Sequence, residues 1–278
     1  SYDVIIPSDY MVARMGEEGL LMELDYSKIP NAENIDERYL HPAYDTEQKY
    51  SLPYMWGTTG IIYNTTMVDK APTSWMDLFT TDLKGQVLIF DNPRDCIGLA
   101  LKALGYSFNT TNKDEIAEAT DLLIKQKEDG IVQAYVMDQI FDKMINNEAA
   151  MGTYYAGDYL TMVEENPDLA FVQPEEGSNL FVDAMCIPTC SKNYEDALAF
   201  INFMCRDDIV LRNCEETGYS CPSATALEEM DEEMATDPVA YPGADILDKA
   251  ETFGGLPEET LTFYDHEWIR ICLAKVKY

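Results

Sequence analysis

Apolar positions along the chain fall into short runs and helical stripes that alternate. Val4, Ile5 and Ile6 are consecutive β-branched residues, the pattern of a strand covered on both faces, and Pro7 stops it. Tyr10 to Gly19 reads as a helix weakened by Gly16, and residues 25–49 are polar and irregular. Tyr50 to Asn64 is a long extended stretch in which Gly57 and Gly60 imply bulges or close backbone approach. Pro72 to Asp77 starts a short helix, with Ser74 and Asp77 at capping-box spacing. Gln86 to Phe90 is a buried strand, and Asp91 to Asp95 caps the helix after it. Thr111 to Lys127 carries Ile116, Ala119, Leu122 and Leu123 on one helical face. Ala149 to Tyr155 is a strand ending in Ala156-Gly157-Asp158, Leu169 to Val172 is another, and Leu180 to Pro188 is a longer one interrupted by Asp183. Helices follow over Asn193 to Cys205 and Leu261 to Lys277, with a turn-rich loop at Thr217 to Ser223 and an acidic stretch over 227–240. Alternating strands and helices define an α/β chain. The long runs at 50–64 and 180–188 are either hinge crossings between two lobes or ordinary long strands.

Charge narrows the range of partners. The chain has 19 Lys+Arg against 51 Asp+Glu, a net charge of −32. A nucleic-acid partner needs a basic face, and anionic membrane surfaces are equally disfavoured. An acidic field attracts cationic ligands, but it also serves simply to keep a protein soluble. No apolar run reaches the length of a membrane span. The seven cysteines are an odd number, contain no C-x-x-C pair and accompany only two histidines, which argues against a zinc site; Cys214 and Cys221 are spaced to close a short loop. No metal or cofactor is called for.

Three strands run into loops that present carboxylates: Asp91 and Asp95, then Asp158, then Asp183. Tyr10, Tyr154, Tyr155, Phe181 and Tyr219 interleave with them. Carboxylates only accept hydrogen bonds and alkylammonium groups only donate them, while aromatic faces add cation–π attraction and cover methylene linkers. Each residue also has an ordinary structural reading: Asp91 and Asp95 as helix caps, Asp158 as a turn residue, Tyr155 and Phe181 as core aromatics. Asp183 stands apart, because a lone carboxylate between Val182 and Ala184 needs a cation or strong hydrogen bonds. Catalysis finds little support. There is no G-x-S-x-G elbow, P-loop or dinucleotide fingerprint, and Asp158 with Asp183 resembles a glycosidase pair only in composition.

The segments YDVIIPSDYMV, YSLPYMWGTTGIIYN, TSWMDLF, GYSFNTTNKDEI, YYAGDY, LFVDAMCIPTCSKNYEDALAFINFM and ETGYSCPS occur in the order found in the spermidine/putrescine-binding proteins of ABC transporters, and the chain resembles that family over nearly its whole length. The resemblance implies a two-lobe, periplasmic-binding-protein-like type II fold with no catalytic activity. The first lobe is expected over 1–58 and 187–248, the second over 59–186 and 249–278. It implies an extracytoplasmic receptor that holds putrescine or spermidine in an interlobe cleft and delivers it to an ABC transporter permease. The family's ligand positions correspond to Ser8, Tyr10, Asp95, Tyr155, Asp158, Phe181, Asp183 and Tyr219. Asn92 stands where some spermidine binders carry an acid, and Phe253 where they carry glutamine; the Asp158 match and the missing glutamine lean towards a diamine. Family members have two β–α units before the segment that opens this chain. The chain is therefore expected to be a piece of a longer polypeptide, with an incomplete first lobe whose edge invites homodimer formation. A receptor for another solute, such as a sugar or an amino-acid derivative, and a carboxylate-based hydrolase are the competing readings.

Overall fold

A computed structural model describes residues 2–277. Along the chain come helix α1 (Asp9–Glu17), three 3-10 turns over 26–39, strand β1 (Ser51–Asn64), α2 (Asp77–Thr80), β2 (Val87–Phe90), α3 (Pro93–Ala103) and α4 (Lys113–Glu128). They are followed by β3 (Val132–Val136), α5 (Gln139–Ile145), β4 (Met151–Tyr155), α6 (Ala156–Glu165), β5 (Leu169–Val172) and β6 (Leu180–Cys186). The last part is helical: α7 (Tyr194–Met204), α8 (Asp207–Thr217), α9 (Ala224–Glu229), α10 (Glu232–Ala235), α11 (Ala244–Leu247) and α12 (Glu258–Leu273). The α/β reading holds. β3, α5 and α8 leave no clear periodicity in the sequence, because they are short or carry polar residues on most faces.

The chain divides into two compact units. One comprises Ser1–Gly57, Leu180–Pro242 and Thr252–Gly255; the other comprises Thr58–Asn179, Gly243–Glu251 and Leu256–Tyr278.

In the second unit the strands run in the order β3-β2-β4-β1-β5. β2 is parallel to β3 and β4, and β1 is antiparallel to β4 and β5, with Ile61 opposite Thr153 and Val172. Every residue of β2 is buried, as expected of a strand with helices on both faces. Ile61, Leu88, Ile89, Phe90, Ile97 and Leu123 form the centre of its core. Fully buried Trp75 donates its indole N–H to the Gly177 carbonyl at 2.9 Å. The capping-box spacing is realised in one direction: the Asp77 carboxylate accepts from the Ser74 amide at 3.1 Å and from the Thr73 amide at 2.8 Å.

In the first unit β6 pairs with β1, and the opening segment lies antiparallel to β6 through Ile5–Cys186 and Ser8–Asp183 bridges. The expectation of a strand covered on both faces at Val4 to Ile6 is corrected. Only Ile5 makes a ladder bridge there, and Ile6 is exposed. Among the described residues, this segment's backbone pairs on one side alone, so Val4 and Ile5 are only half-buried at an edge. Asp45 organises the entry into β1: its carboxylate accepts from the amides of Lys49, Tyr50 and Ser51 and from the Ser51 hydroxyl. Trp56 stacks on Tyr39 at 5.3 Å and donates its indole N–H to the Cys221 carbonyl.

Candidate functional site

In the first unit Ser8 is the N-cap residue of α1, and the bridge to β6 puts its side chain opposite Asp183. The Ser8 hydroxyl donates to Asp183 Oδ1 at 2.8 Å. Asp183 makes no ion pair among the described residues. Burial pushes its carboxyl above the ordinary aspartate value, and the Ser8 hydrogen bond only partly offsets this. Phe181, two residues earlier on the same face of β6, meets Tyr219 edge-on with centroids 5.7 Å apart. Tyr10, in the first turn of α1, meets Phe253 edge-on at 6.3 Å. Asp9 is fully buried and accepts from the Tyr10 amide at 2.7 Å.

Gly57 was passed over as a site residue, although a glycine inside a strand was the visible signal. A Cβ built there lies 2.7 Å from Phe181 Cζ and 3.5 Å from Tyr219 Cδ1, so the Phe181 ring lies directly against the β1 backbone. Phe253 is only 2% exposed and presents its ring to Tyr10.

In the second unit the adjacent parallel strands β2 and β4 end side by side, and helices α3 and α6 start from those carboxyl ends. Asn92 caps α3 by accepting from the Arg94 amide at 2.9 Å, so the cap belongs to Asn92 rather than to either neighbouring aspartate. Asp95 lies in the first turn, 6% exposed. It accepts a hydrogen bond from Tyr155, the last residue of β4. Burial raises the Asp95 carboxyl to about 7, against the opposing pull of Arg94 and Tyr155. Tyr155 packs against Phe90 at 5.3 Å and Tyr154 at 4.9 Å.

Asp158 is not in a strand-end turn as expected. The chain turns helical at Ala156 and places Asp158 in the first turn of α6, where an acid answers the positive end of the helix dipole. The eight residues thus form two sets: Ser8, Tyr10, Phe181, Asp183 and Tyr219 in one unit, and Asp95, Tyr155 and Asp158 in the other. Each set combines a carboxylate raised by burial with tyrosine or phenylalanine rings. Among the described residues no cluster of His, Cys, Asp and Glu is placed to hold a metal ion, and no helix is long and apolar enough to cross a membrane.

Carboxylates raised by burial and set among aromatic rings suit a receptor for a small cationic solute. Comparison with known proteins gives the particular family. The model of the bacterial extracellular solute-binding proteins matches residues 1–242, and the chain belongs to that family. It is 35% identical over 252 residues to the spermidine/putrescine-binding periplasmic protein of Escherichia coli K12, covering 90% of this chain and 72% of that one. It is 30% identical over 293 residues to the putrescine-binding periplasmic protein SpuD of Pseudomonas aeruginosa, covering 99% and 79%. The crystal structure of the spermidine/putrescine ABC transporter substrate-binding protein PotD from Streptococcus pneumoniae superposes with a TM-score of 0.88 at 39% identity, covering 99% of this chain and 84% of that one. The fold is that of the periplasmic binding proteins.

Proposed function

We propose that the chain is the solute receptor of a polyamine ABC transporter and that its two units bind putrescine or spermidine between them. Asp183, hydrogen-bonded to Ser8, takes one ammonium group; Asp95 and Asp158 take the other. Tyr10, Phe181, Tyr155 and Tyr219 enclose the methylenes. The observation that carries this reading is Asp183 itself. It is a carboxylate raised by burial, supported by one hydroxyl at 2.8 Å and lacking any lysine or arginine partner among the described residues. Such a group gains most from a cation that brings its own donors. The polyamine named in the relatives' descriptions supports the same chemistry.

The ligand favours the closed arrangement because only that arrangement lets both sets of groups contact it, and the closed form docks on the permease. A diamine fits the groups better than a longer amine, since Asn92 offers no further carboxylate and Phe253 no amide. Calorimetric titration tests this. Putrescine binding is expected to weaken by about 100-fold or more in Asp183→Asn, the order expected when a desolvated charge pair is lost. An unchanged dissociation constant removes Asp183 from the site. Heat with sugars but none with amines rejects the polyamine reading. The one-sided edge at residues 4–6 is the basis for a second proposal, pairing with another copy of the chain; a monomeric mass by light scattering at high concentration rejects it.

A further inference from the structure

Two of the seven cysteines are neighbours in space. Cys214 ends the penultimate turn of α8, Gly218 caps that helix in the left-handed conformation at φ 73°, and Cys221 follows three residues later. The Gly218 amide donates to the Cys214 carbonyl at 2.8 Å, and Ser220 exchanges both backbone hydrogen bonds with Trp56 at 3.1 Å. The chain therefore reverses tightly and brings both thiols into one buried cluster with Val210 and Ala226. Cys214 and Cys221 are 2% and 3% exposed, and their side chains are hydrogen-bonded to each other. The bonded turn includes Tyr219.

We propose that Cys214 and Cys221 are a redox-active dithiol that closes to an intramolecular disulfide, with an external disulfide as oxidant, and so fixes the turn that carries Tyr219. The two sulfurs are not equivalent. The hydrogen bond from Cys214 holds the Cys221 thiol below its ordinary value and raises that of Cys214. Cys221 is therefore the attacking thiolate. It displaces one sulfur of the external disulfide, forming a mixed disulfide and releasing one thiol. Cys214 then gives up its proton, and its sulfur attacks Cys221, releasing the second thiol. Two protein thiols are oxidised, one external disulfide is reduced, and both protons end on the released thiols. Burial restricts this exchange to folding or to local opening of the end of α8. The family is extracellular, the setting in which protein disulfides persist.

The site is tested by equilibrating the full chain in glutathione buffers of rising disulfide fraction. One sample is native and one is refolded from urea, so that burial cannot hide the thiols. Acid quenching, alkylation and peptide mass mapping follow. The expected product is a 214–221 crosslink lighter by two hydrogens, with Cys96, Cys186 and Cys205 recovered as thiols. The oxidised chain should melt about 5 °C above the reduced one, as closing so short a loop implies. Cys214→Ser should abolish both the crosslink and the shift. Recovery of both residues as thiols after refolding in the most oxidising buffer overturns the proposal, as does bonding of either to exposed Cys190 or Cys272. None of these readouts depends on which solute the protein binds.

Discussion

Replacing Gly57 by alanine isolates the aromatic wall of the first unit with a single methyl group. The added Cβ would lie 2.7 Å from Phe181 Cζ and 3.1 Å from Cε1, whereas ordinary contact starts at 3.4 Å. The ring must therefore withdraw by several tenths of an ångström. Phe181 is 7% exposed and rests edge-on against Tyr219, so its way out is blocked on that side. Overpacking of this kind costs roughly 1–3 kcal/mol of stability. The far end of a ring moves more cheaply than backbone, so the lower half of that range applies and the variant folds. In the proposed site a displaced ring loses its position over an ammonium group and its methylenes, an interaction worth about 0.5–2 kcal/mol. Putrescine affinity is then expected to fall by roughly tenfold. Calorimetry gives the affinity, and urea denaturation of the unliganded chain gives the stability. The double variant Gly57→Ala/Phe181→Leu separates the two effects, since the shorter side chain relieves the clash without restoring the wall. Stability should recover while affinity stays low. Wild-type stability and affinity in Gly57→Ala would refute the packing argument. Lost stability with wild-type affinity would remove Phe181 from the site.

Two further predictions concern buried acids. Asp95 titrates near 7 when folded, against about 4 when unfolded, so the native state holds its proton more tightly. Its contribution to stability is fully present below about pH 4 and is lost as pH rises through about 7, a span worth at most about 4 kcal/mol. Urea midpoints of the wild type should fall relative to Asp95→Asn across that interval, and parallel curves would show that Asp95 does not titrate there. A bound ammonium group favours the carboxylate, so putrescine affinity should rise from pH 5 to 8 with proton release on binding; identical heats in buffers of different ionisation enthalpy would count against this. Asp45→Ala should lower unfolding free energy by about 3 kcal/mol, because the substitution leaves the Lys49, Tyr50 and Ser51 amides without their acceptor. An unshifted urea midpoint would show that water replaces the carboxylate.

Much of the fold was legible because its signals are local. β2 is four consecutive buried apolar residues, and α4 and α7 carry their buried positions at helical spacing. The start of α6 was not legible: Ala156-Gly157-Asp158 has the composition of a turn, and only the position of Tyr155 at the end of β4 makes Asp158 a first-turn residue. The strand predicted at Val4 to Ile6 failed for a related reason. Three β-branched residues record a preference for extended backbone, but burial depends on what lies across both edges, which no window of sequence reports. In the site, Asp183 was legible as an acid in an apolar run. Its partner Ser8 lies 175 residues away along the chain, and the resemblance placed that residue at the site without showing the hydrogen bond.

The charge of −32 and the candidate site are separate properties of the molecule. Of 51 acidic residues, the buried ones include Asp9, Asp45, Asp95 and Glu267. Asp45 is satisfied by backbone amides and Glu267 is paired with Arg270, so each completes a structural element and neither calls for a ligand. The exposed majority is solvated and screened within about 10 Å at ordinary salt, so it draws cations in without distinguishing among them. In the proposed site, discrimination falls to carboxylates whose ionisation burial opposes. Asp95 and Asp183 are raised by burial, and they accept from the hydroxyls of Tyr155 and Ser8 respectively. A cation that reaches them relieves a cost that the unliganded protein already carries, whereas a cation at the surface displaces only water. Salt therefore separates the two contributions. Raising ionic strength should slow association through the acidic field, while the dissociation rate, which the proposed site assigns to the two desolvated carboxylates, should change little.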